Sequence, residues 1–191
     1  KTAIKDLPEE EYSIVIPGKS LNELNKILEE TSSEVAIVMT QQQVLFKTGN
    51  VLFYSRLLEG NYPDTSRLIP NESKTTILVN SKSLLQAIDR ASLLAREERN
   101  NVVRFSTLGN GFIEVSSNSP EIGNVEEQIQ AEEIDGEELK ISFSAKYMMD
   151  ALKAIDGQDV KILFTGAMRP FILKSVHDDS ILQLILPVRT Y

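Results

Sequence analysis

The chain has 191 residues, 41% of them hydrophobic, with 20 lysines and arginines against 28 aspartates and glutamates. The formal charge of −8 argues against a protein that coats DNA with its whole surface, although it leaves room for local basic patches. The absence of cysteine excludes disulfides and thiolate chemistry, and the single histidine excludes a two-histidine metal site. No apolar run approaches the roughly 20 residues that cross a bilayer, so we expect a globular, cytoplasmic protein.

Three segments of the chain open alike, about 63 residues apart. They read YSIVIPGKSLNELNKIL from Tyr12, TTILVNSKSLLQAIDRA from Thr75 and LKISFSAKYMMDALKAI from Leu139. In each, an apolar run is followed by a small polar turn and a lysine, and the apolar spacing then changes to i, i+3, i+4. This change predicts a strand followed by a helix, with Ser81 and Ser144 as candidate N-caps of the second and third helices.

Strand-like runs follow each helix. They are VAIVMT, QVLFKT and VLFYSRLL in the first unit, VVRFST, GFIEVSS and VEEQIQAEEI in the second, and VKILFT, FILKSV and LQLILPV in the third. Each unit therefore reads βαβββ, which predicts an α+β fold. Because such units would pair within domains, we expect a half domain at residues 1–70, whose partner unit has been left out, and a whole domain at residues 71–191.

Five strings resemble the bacterial DNA polymerase III beta subunit, the sliding clamp, in its low-GC Gram-positive form: NYPDTSRLIP, RASLLAREERNNVV, SNSPEIG, TGAMRPF and LILPVR. The resemblance covers essentially the whole chain. It implies the DNA-clamp fold, in which repeated βαβββ units place helices around a pore and antiparallel sheets outside. In that family the protomers form a head-to-tail dimeric ring, and this chain would supply the last one and a half of three domains.

A clamp that slides must attract phosphate without reading bases, since base contacts would hold it at one sequence. Lysines at the same place in all three helix starts, Lys19, Lys82 and Lys146, suit that need, and Arg96 and Arg99 could extend the basic surface. The residues alone are equally consistent with solvated lysines on helix faces.

The resemblance also implies a cleft for short linear peptides of the replicative polymerase alpha subunit, the clamp loader and repair polymerases. Family positions carry over onto Pro63, Arg67, Leu68, Tyr147, Met168, Pro170, Leu184, Leu186, Pro187, Val188 and Arg189. Taken alone, Leu184, Leu186 and Val188 read more readily as the inward face of a closing strand, and the resemblance to the family reverses that preference. Leu93 and Leu94 match positions of the family's homodimer interface, or they are an ordinary amphipathic helix end.

We therefore expect a non-catalytic processivity factor that encircles double-stranded DNA without sequence preference and needs no cofactor or metal. A peptide-binding interaction module that never contacts DNA is the alternative. A hydrolase is a weaker one, because its support is the run His177-Asp178-Asp179-Ser180, and neighbours in a turn do not assemble a catalytic triad.

Overall fold

The computed structural model describes residues 13–28, 34–60, 62, 64–70, 72–95, 101–120, 122–155 and 157–190. The chain divides into two compact units, one within residues 5–64 and the other from Thr65 onward.

In its described residues the smaller unit consists of one helix and an antiparallel sheet in the order β1-β2-β3. Its elements are α1 (Gly18–Ile27), β1 (Ala36–Met39), β2 (Gln43–Thr48) and β3 (Val51–Arg56). Val44 and Phe46 point from β2 to the same face of the sheet, and both are buried with Leu24 of α1. The helix therefore covers one face of the sheet, as the alternating apolar pattern of β2 predicts.

The strand predicted before α1 does not form. Ser13–Pro17 have no strand assignment. The Val15 carbonyl accepts the Leu58 N–H at 2.8 Å, and the Pro17 carbonyl accepts the N–H groups of Ser20 and Leu21 at the start of α1. A strand needs a neighbour, and in the larger unit each repeat's first strand pairs with the other repeat's sheet.

The larger unit begins with a short 3-10 helix, Ser66–Leu68, and then contains two repeats. The first is β4 (Thr75–Asn80), α2 (Ser81–Ala95), β5 (Val102–Thr107), β6 (Phe112–Ser119), β7 (Gly123–Gln130) and β8 (Glu133–Gly136). The second is β9 (Lys140–Ser144), α3 (Ala145–Ala154), β10 (Asp159–Phe164), β11 (Phe171–Ser175) and β12 (Leu182–Ile185).

The two repeats exchange their first strands. In the described residues one sheet has the order β12-β11-β10-β4-β8 and the other has the order β7-β6-β5-β9. β4 pairs with β10 from Thr75 opposite Phe164, while β9 pairs with β5 from Ser144 opposite Val102. Neither repeat can therefore complete its sheet without the other, which makes the pair of repeats the folding unit.

The run VEEQIQAEEI, predicted as one strand, forms two. It breaks after Gln130, where the Ala131 N–H donates to the Gly111 carbonyl at 3.0 Å and the Glu132 N–H donates to the Leu78 carbonyl at 2.8 Å. Glu132 and Glu133 follow each other directly after Ala131 and shift the apolar positions by one residue, so the sequence does show a disturbance of the alternation at the break. At this point the chain stops pairing with β6 and begins to pair with β4. The last residues of the run therefore form β8 in the other sheet.

The core of the larger unit lies between both sheets and the two helices. Phe105 and Phe143 from one sheet stack near Phe164 and Phe171 from the other, with ring centroids 5.6 Å apart in each pair that crosses between sheets. Leu84, Ala87, Ile88 and Ala91 place a continuous buried stripe along α2 at helical spacing.

The helix caps differ from the prediction. Asn80, not Ser81, caps α2, because its Oδ1 accepts a hydrogen bond from the Ser83 N–H at 3.0 Å and another from the Ser83 hydroxyl at 3.1 Å. Ser144 occupies the N-cap position of α3, but its side chain makes no capping bond. Ser81 already lies inside the helix and is buried, so its hydroxyl is in the wrong place to cap.

Candidate functional site

Several predicted site residues meet at one end of the five-stranded sheet, and strand register explains why. Thr75 lies opposite Phe164, so the segment before β4 runs beside the β10–β11 turn. Phe171 lies opposite Ile185, so the chain leaves β12 at that same end. Segments near residues 67–74, 165–170 and 186–189 are therefore neighbours in space although they are distant in sequence.

An open cavity of about 550 Å³ lies between the first two of these segments. Arg67, Leu68 and Pro70 line one side, and Thr165, Arg169 and Pro170 line the other. Its size is in the range of small-ligand and peptide pockets. We call this cavity and the adjoining chain after β12 the sheet-end cleft.

The chain after β12 crosses from the edge of one sheet to the edge of the other. Pro187 forms an isolated antiparallel bridge with Phe143, and the Val188 N–H donates to the Ser142 carbonyl at 2.7 Å. This places the tail next to the end of β9, directly before α3. Tyr147, in the first turn of α3, is 65% exposed there.

Most predicted cleft residues present apolar surface to solvent. Leu68, Met168 and Leu186 are exposed, and Pro170, Leu184, Pro187 and Val188 are half-buried. Arg67 and Arg189 are exposed, and Pro63 lies outside the described residues. The inward position of β12 belongs to Ile185, which is 5% exposed, so the reading of Leu184, Leu186 and Val188 as the buried face of a closing strand is wrong.

Six cavity-lining residues were missed from the sequence, namely Pro70, Glu72, Ser73, Lys74, Thr165 and Arg169. Arg169 lies in TGAMRPF between Met168 and Pro170, both of which were predicted as cleft residues. The arginine-proline pair in a turn is the sequence feature that could have identified it. Lys74 gave no such signal, because its position follows from the pairing of β4 with β10.

A glycine fixes the backbone on which Lys74 stands. Gly136 has φ of +110°, and a Cβ there would lie 2.9 Å from the Thr75 Cα and closer still to the Lys74 carbonyl oxygen. That carbonyl accepts the Glu137 N–H at 3.2 Å, while the Lys74 N–H donates to the Phe164 carbonyl at 2.7 Å. Both the conformation and the close approach favour glycine.

The three repeated lysines occupy equivalent places. Lys19, Lys82 and Lys146 each lie in the first turn of a helix and are exposed, and none is within 4 Å of a carboxylate among the residues described. Each helix contains two basic side chains and one acidic side chain, in a chain whose formal charge is −8. In the larger unit α2 packs against α3. Arg96 and Arg99 lie outside the described part of the chain.

Leu93 and Leu94 lie in the last turn of α2, which packs against the edge strand β7. Leu93 is 56% exposed and Leu94 is half-buried. Arg90 joins the helix to β7 through two bonds to Glu127, one of them from Nε to Oε2 at 2.9 Å. These bonds raise the pKa of Arg90 and lower the pKa of the Glu127 carboxyl.

The run His177-Asp178-Asp179-Ser180 forms a polar turn between β11 and β12. Asp178 accepts the Ser180 N–H at 2.8 Å, and bonding to Ser180 lowers the pKa of the Asp178 carboxyl. The His177 N–H donates to the Ser175 hydroxyl at 3.2 Å. These are local turn contacts, and they provide neither an activated nucleophile nor a base aimed at one.

A second open cavity, of about 590 Å³, lies over the outer face of the four-stranded sheet. Arg104, Ser116, Ser142 and Thr190 are among its lining residues. It is dominated by serine, asparagine and charged side chains, so it lacks the apolar floor that anchors a peptide. In the part of the chain that the structure describes, no cluster of three or more potential metal ligands is present. No described helix is long and apolar enough to cross a membrane.

Comparison with known proteins identifies one family in the two units of the chain. The family model for the C-terminal domain of the DNA polymerase III beta subunit matches residues 66–189, and the model for its central domain matches residues 1–64. The beta sliding clamp of Bacillus subtilis is 63% identical over 187 residues, which is 97% of this chain and 50% of that protein. The beta sliding clamp of Staphylococcus aureus is 53% identical over 191 residues, again 50% of that protein.

Solved structures agree with these matches. The Bacillus subtilis DNA polymerase sliding clamp superposes with a TM-score of 0.89 over 97% of this chain and 49% of that one. The beta subunit of Streptococcus pyogenes DNA polymerase, 37% identical, gives 0.90 over 98% of this chain and 51% of that one.

The paired repeats with exchanged strands therefore form a DNA-clamp fold, as the sequence predicts. The chain belongs to the DNA polymerase III beta subunit family. It spans about half the length of the curated relatives that it matches.

Proposed function

We propose that this chain is part of a sliding clamp, a non-catalytic processivity factor that holds a replicative polymerase on DNA in the cytoplasm. The observation that carries the proposal is the family match across both units, on a fold whose repeated helices each begin with an exposed lysine. In this proposal residues 1–70 are the second half of the clamp's middle domain, and residues 71–191 are its C-terminal domain.

The helix surfaces support sequence-independent contact with double-stranded DNA. Lys19, Lys82 and Lys146 repeat at one helical position, and lysines attract phosphates without selecting a base. The helices carry a basic excess although the chain as a whole is acidic, so attraction to phosphate would be confined to the helix surfaces of each unit. Confinement of positive charge suits a protein that encloses DNA and must slide along it. No specific observation favours the alternative of a module without DNA contact.

The sheet-end cleft supports binding of short linear peptides from the polymerase alpha subunit, the clamp loader and repair polymerases. Leu68 lines the cavity, Met168 and Leu186 lie at the same end of the sheet, and all three are exposed apolar side chains that peptide anchors could bury. Methionine can adapt its shape to different anchors, which suits a site that serves several partners. Leu184, Pro187, Val188 and Arg189 would complete the site, and Pro63 is proposed from the resemblance alone.

A homodimeric ring would use the surface at the end of α2. Leu93 and Ile122 are both more than half exposed, Leu93 on the helix that packs against the edge strand β7 and Ile122 directly before that strand. An edge strand beside exposed apolar residues is a surface that another chain can extend. We therefore propose that Leu93 and Leu94 contact a second protomer in the full ring.

A chimaeric clamp would test the proposed function. The corresponding half of the Bacillus subtilis clamp, 63% identical, would be replaced by this chain, and the chimaera would be loaded onto primed circular DNA with that organism's loader and polymerase. Long extension products that require the chimaera are expected. A matched chimaera with Lys82→Glu and Lys146→Glu should retain less polymerase on DNA at moderate salt.

The outcome that contradicts the proposal is a chimaera that dimerises and folds but yields only the short products made without a clamp. Dimerisation is read separately by analytical ultracentrifugation, so a failure of assembly would be recognised as a failure of the ring-closing part of the proposal.

A further inference from the structure

The sheet-end cleft has a local charge opposite to that of the chain. Arg67, Lys74 and Arg169 line its cavity, with Glu72 as the acidic member of the lining. The whole chain, in contrast, carries a formal charge of −8. A basic cavity on an acidic protein attracts an anionic ligand to that place while the rest of the surface repels it.

The three basic side chains are not equally available to a ligand. Lys74 lies 3.4 Å from the Glu137 carboxylate, and Arg67 already makes an interaction within the chain. Arg169 is exposed and forms no ion pair with any residue in the described ranges. Its guanidinium is therefore the group with the most unused donor capacity in the cavity lining.

The turn that carries Arg169 is closed by its own hydrogen bonds. Its N–H donates to the Gly166 carbonyl at 3.4 Å, and the Thr165 hydroxyl donates to the Pro170 carbonyl at 3.2 Å. Gly166 has φ of +142°, and Pro170, the residue directly after Arg169, restricts the backbone further. The backbone that presents the guanidinium is thus defined before a ligand arrives, which lowers the entropy lost on binding.

We propose that Arg169 is a specificity-determining residue of the cleft, which selects linear peptides carrying a carboxylate beside their apolar anchors. Leu68, Pro70 and Pro170 supply apolar surface next to the guanidinium, so the cavity matches a ligand with both features. Arginine binds carboxylates through paired N–H donors, a geometry that asparagine or glutamine in the peptide would not satisfy as well. This inference rests on the proposed peptide-binding function of the cleft.

The test uses the 191-residue chain and fluorescein-labelled peptides that carry a clamp-binding motif of a bacterial replicative polymerase. One peptide has aspartate next to the apolar anchor, and two others have asparagine or lysine there. We expect the native chain to bind the aspartate peptide about fivefold more tightly than the asparagine peptide at low salt. Arg169→Gln should remove this preference, and Arg169→Glu should reverse it in favour of the lysine peptide.

Lys161→Glu is the matched control, because it places the same charge change on an exposed residue of β10 that does not line the cavity. It should leave the ranking of the three peptides unchanged. The inference is overturned if the native chain and Arg169→Glu rank the peptides alike. It is also overturned if Arg169→Glu weakens binding of a labelled DNA duplex and leaves peptide affinity intact, since the cation would then serve nucleic acid.

The three peptides separate this inference from the function on which it rests. Binding of all three peptides with no effect at Arg169 contradicts the role of Arg169 and leaves the cleft standing. Absence of binding by the native chain contradicts both the proposed peptide cleft and its specificity.

Discussion

Separate alanine substitutions of two adjacent residues, Leu186 and Ile185, distinguish a residue of the binding surface from a residue of the core. Leu186 is 58% exposed at the sheet-end cleft, whereas Ile185 is 5% exposed and belongs to the core cluster. Leu186→Ala should therefore change the free energy of unfolding by less than about 0.5 kcal/mol, because an exposed side chain makes few contacts. Ile185→Ala should lower it by about 2–5 kcal/mol, through lost burial and the cavity left behind.

The effect on peptide affinity should have the opposite order. Complete burial of a leucine side chain contributes about 1.5–3 kcal/mol, so covering the exposed 58% of Leu186 would contribute roughly 1–2 kcal/mol. Leu186→Ala should then weaken binding of a clamp-binding peptide by about fivefold to thirtyfold. Val176→Ala is the control, since Val176 is 47% exposed but follows the far end of β11 from the cleft.

Urea denaturation measures the unfolding free energies, and fluorescence anisotropy of a labelled peptide measures the affinities. The reasoning is refuted if Leu186→Ala binds the peptide as tightly as the native chain. It is equally refuted if Leu186→Ala destabilises the fold as much as Ile185→Ala, because Leu186 would then act through packing.

Three further predictions concern other parts of the molecule. Gly136→Ala should lower the free energy of unfolding by about 1–3 kcal/mol or more in urea denaturation, because the new Cβ meets the Lys74 carbonyl. Gly109→Ala is the control and should lower it less, because a Cβ there meets no atom within 4 Å. Equal effects of the two substitutions would contradict the account. The double variant Lys82→Glu and Lys146→Glu should bind a short DNA duplex more weakly at low salt, and the slope of log affinity against log salt should become smaller. Lys161→Glu is the control. If the double variant has the same slope as Lys161→Glu, the result counts against a DNA-facing role of Lys82 and Lys146. Because Arg90 lowers the pKa of Glu127 in the folded state, the pair stabilises the fold above the ordinary glutamate range and loses that contribution as pH falls through the depressed pKa. The stability gap between the native chain and Glu127→Gln should therefore narrow as pH is lowered from about 7 to about 3, and a gap that widens would contradict this sign.

The elements that the sequence predicted well are those whose local pattern and tertiary role agree. All three helices form where apolar spacing changed after a short turn, and the third unit is strand, helix, strand, strand, strand. Residues 123–136 show the limit of a local pattern, since a run that was predicted as one strand became β7 and β8 in different sheets. The break is set by partners such as Gly111 and Leu78, which are distant in sequence and invisible to that pattern.

The site shows a similar limit. Sequence resemblance supplied the apolar cleft residues, but it did not include Arg169 or Lys74, whose place depends on how β4 and β10 pair. It also could not decide which of Leu184, Ile185 and Leu186 points inward, because an apolar run without alternation fits either register. Ile185 takes the core position through its pairing with Phe171 at the start of β11.

The most direct test of the account is to find where a partner peptide binds. A clamp-binding peptide with a benzophenone at its apolar anchor would be photo-crosslinked to the chain, and the attachment points would be read by mass spectrometry after digestion. The account predicts attachment within residues 165–170 and 184–189, with competition by unlabelled peptide. Attachment confined to the outer face of the four-stranded sheet, or no saturable attachment, would contradict it.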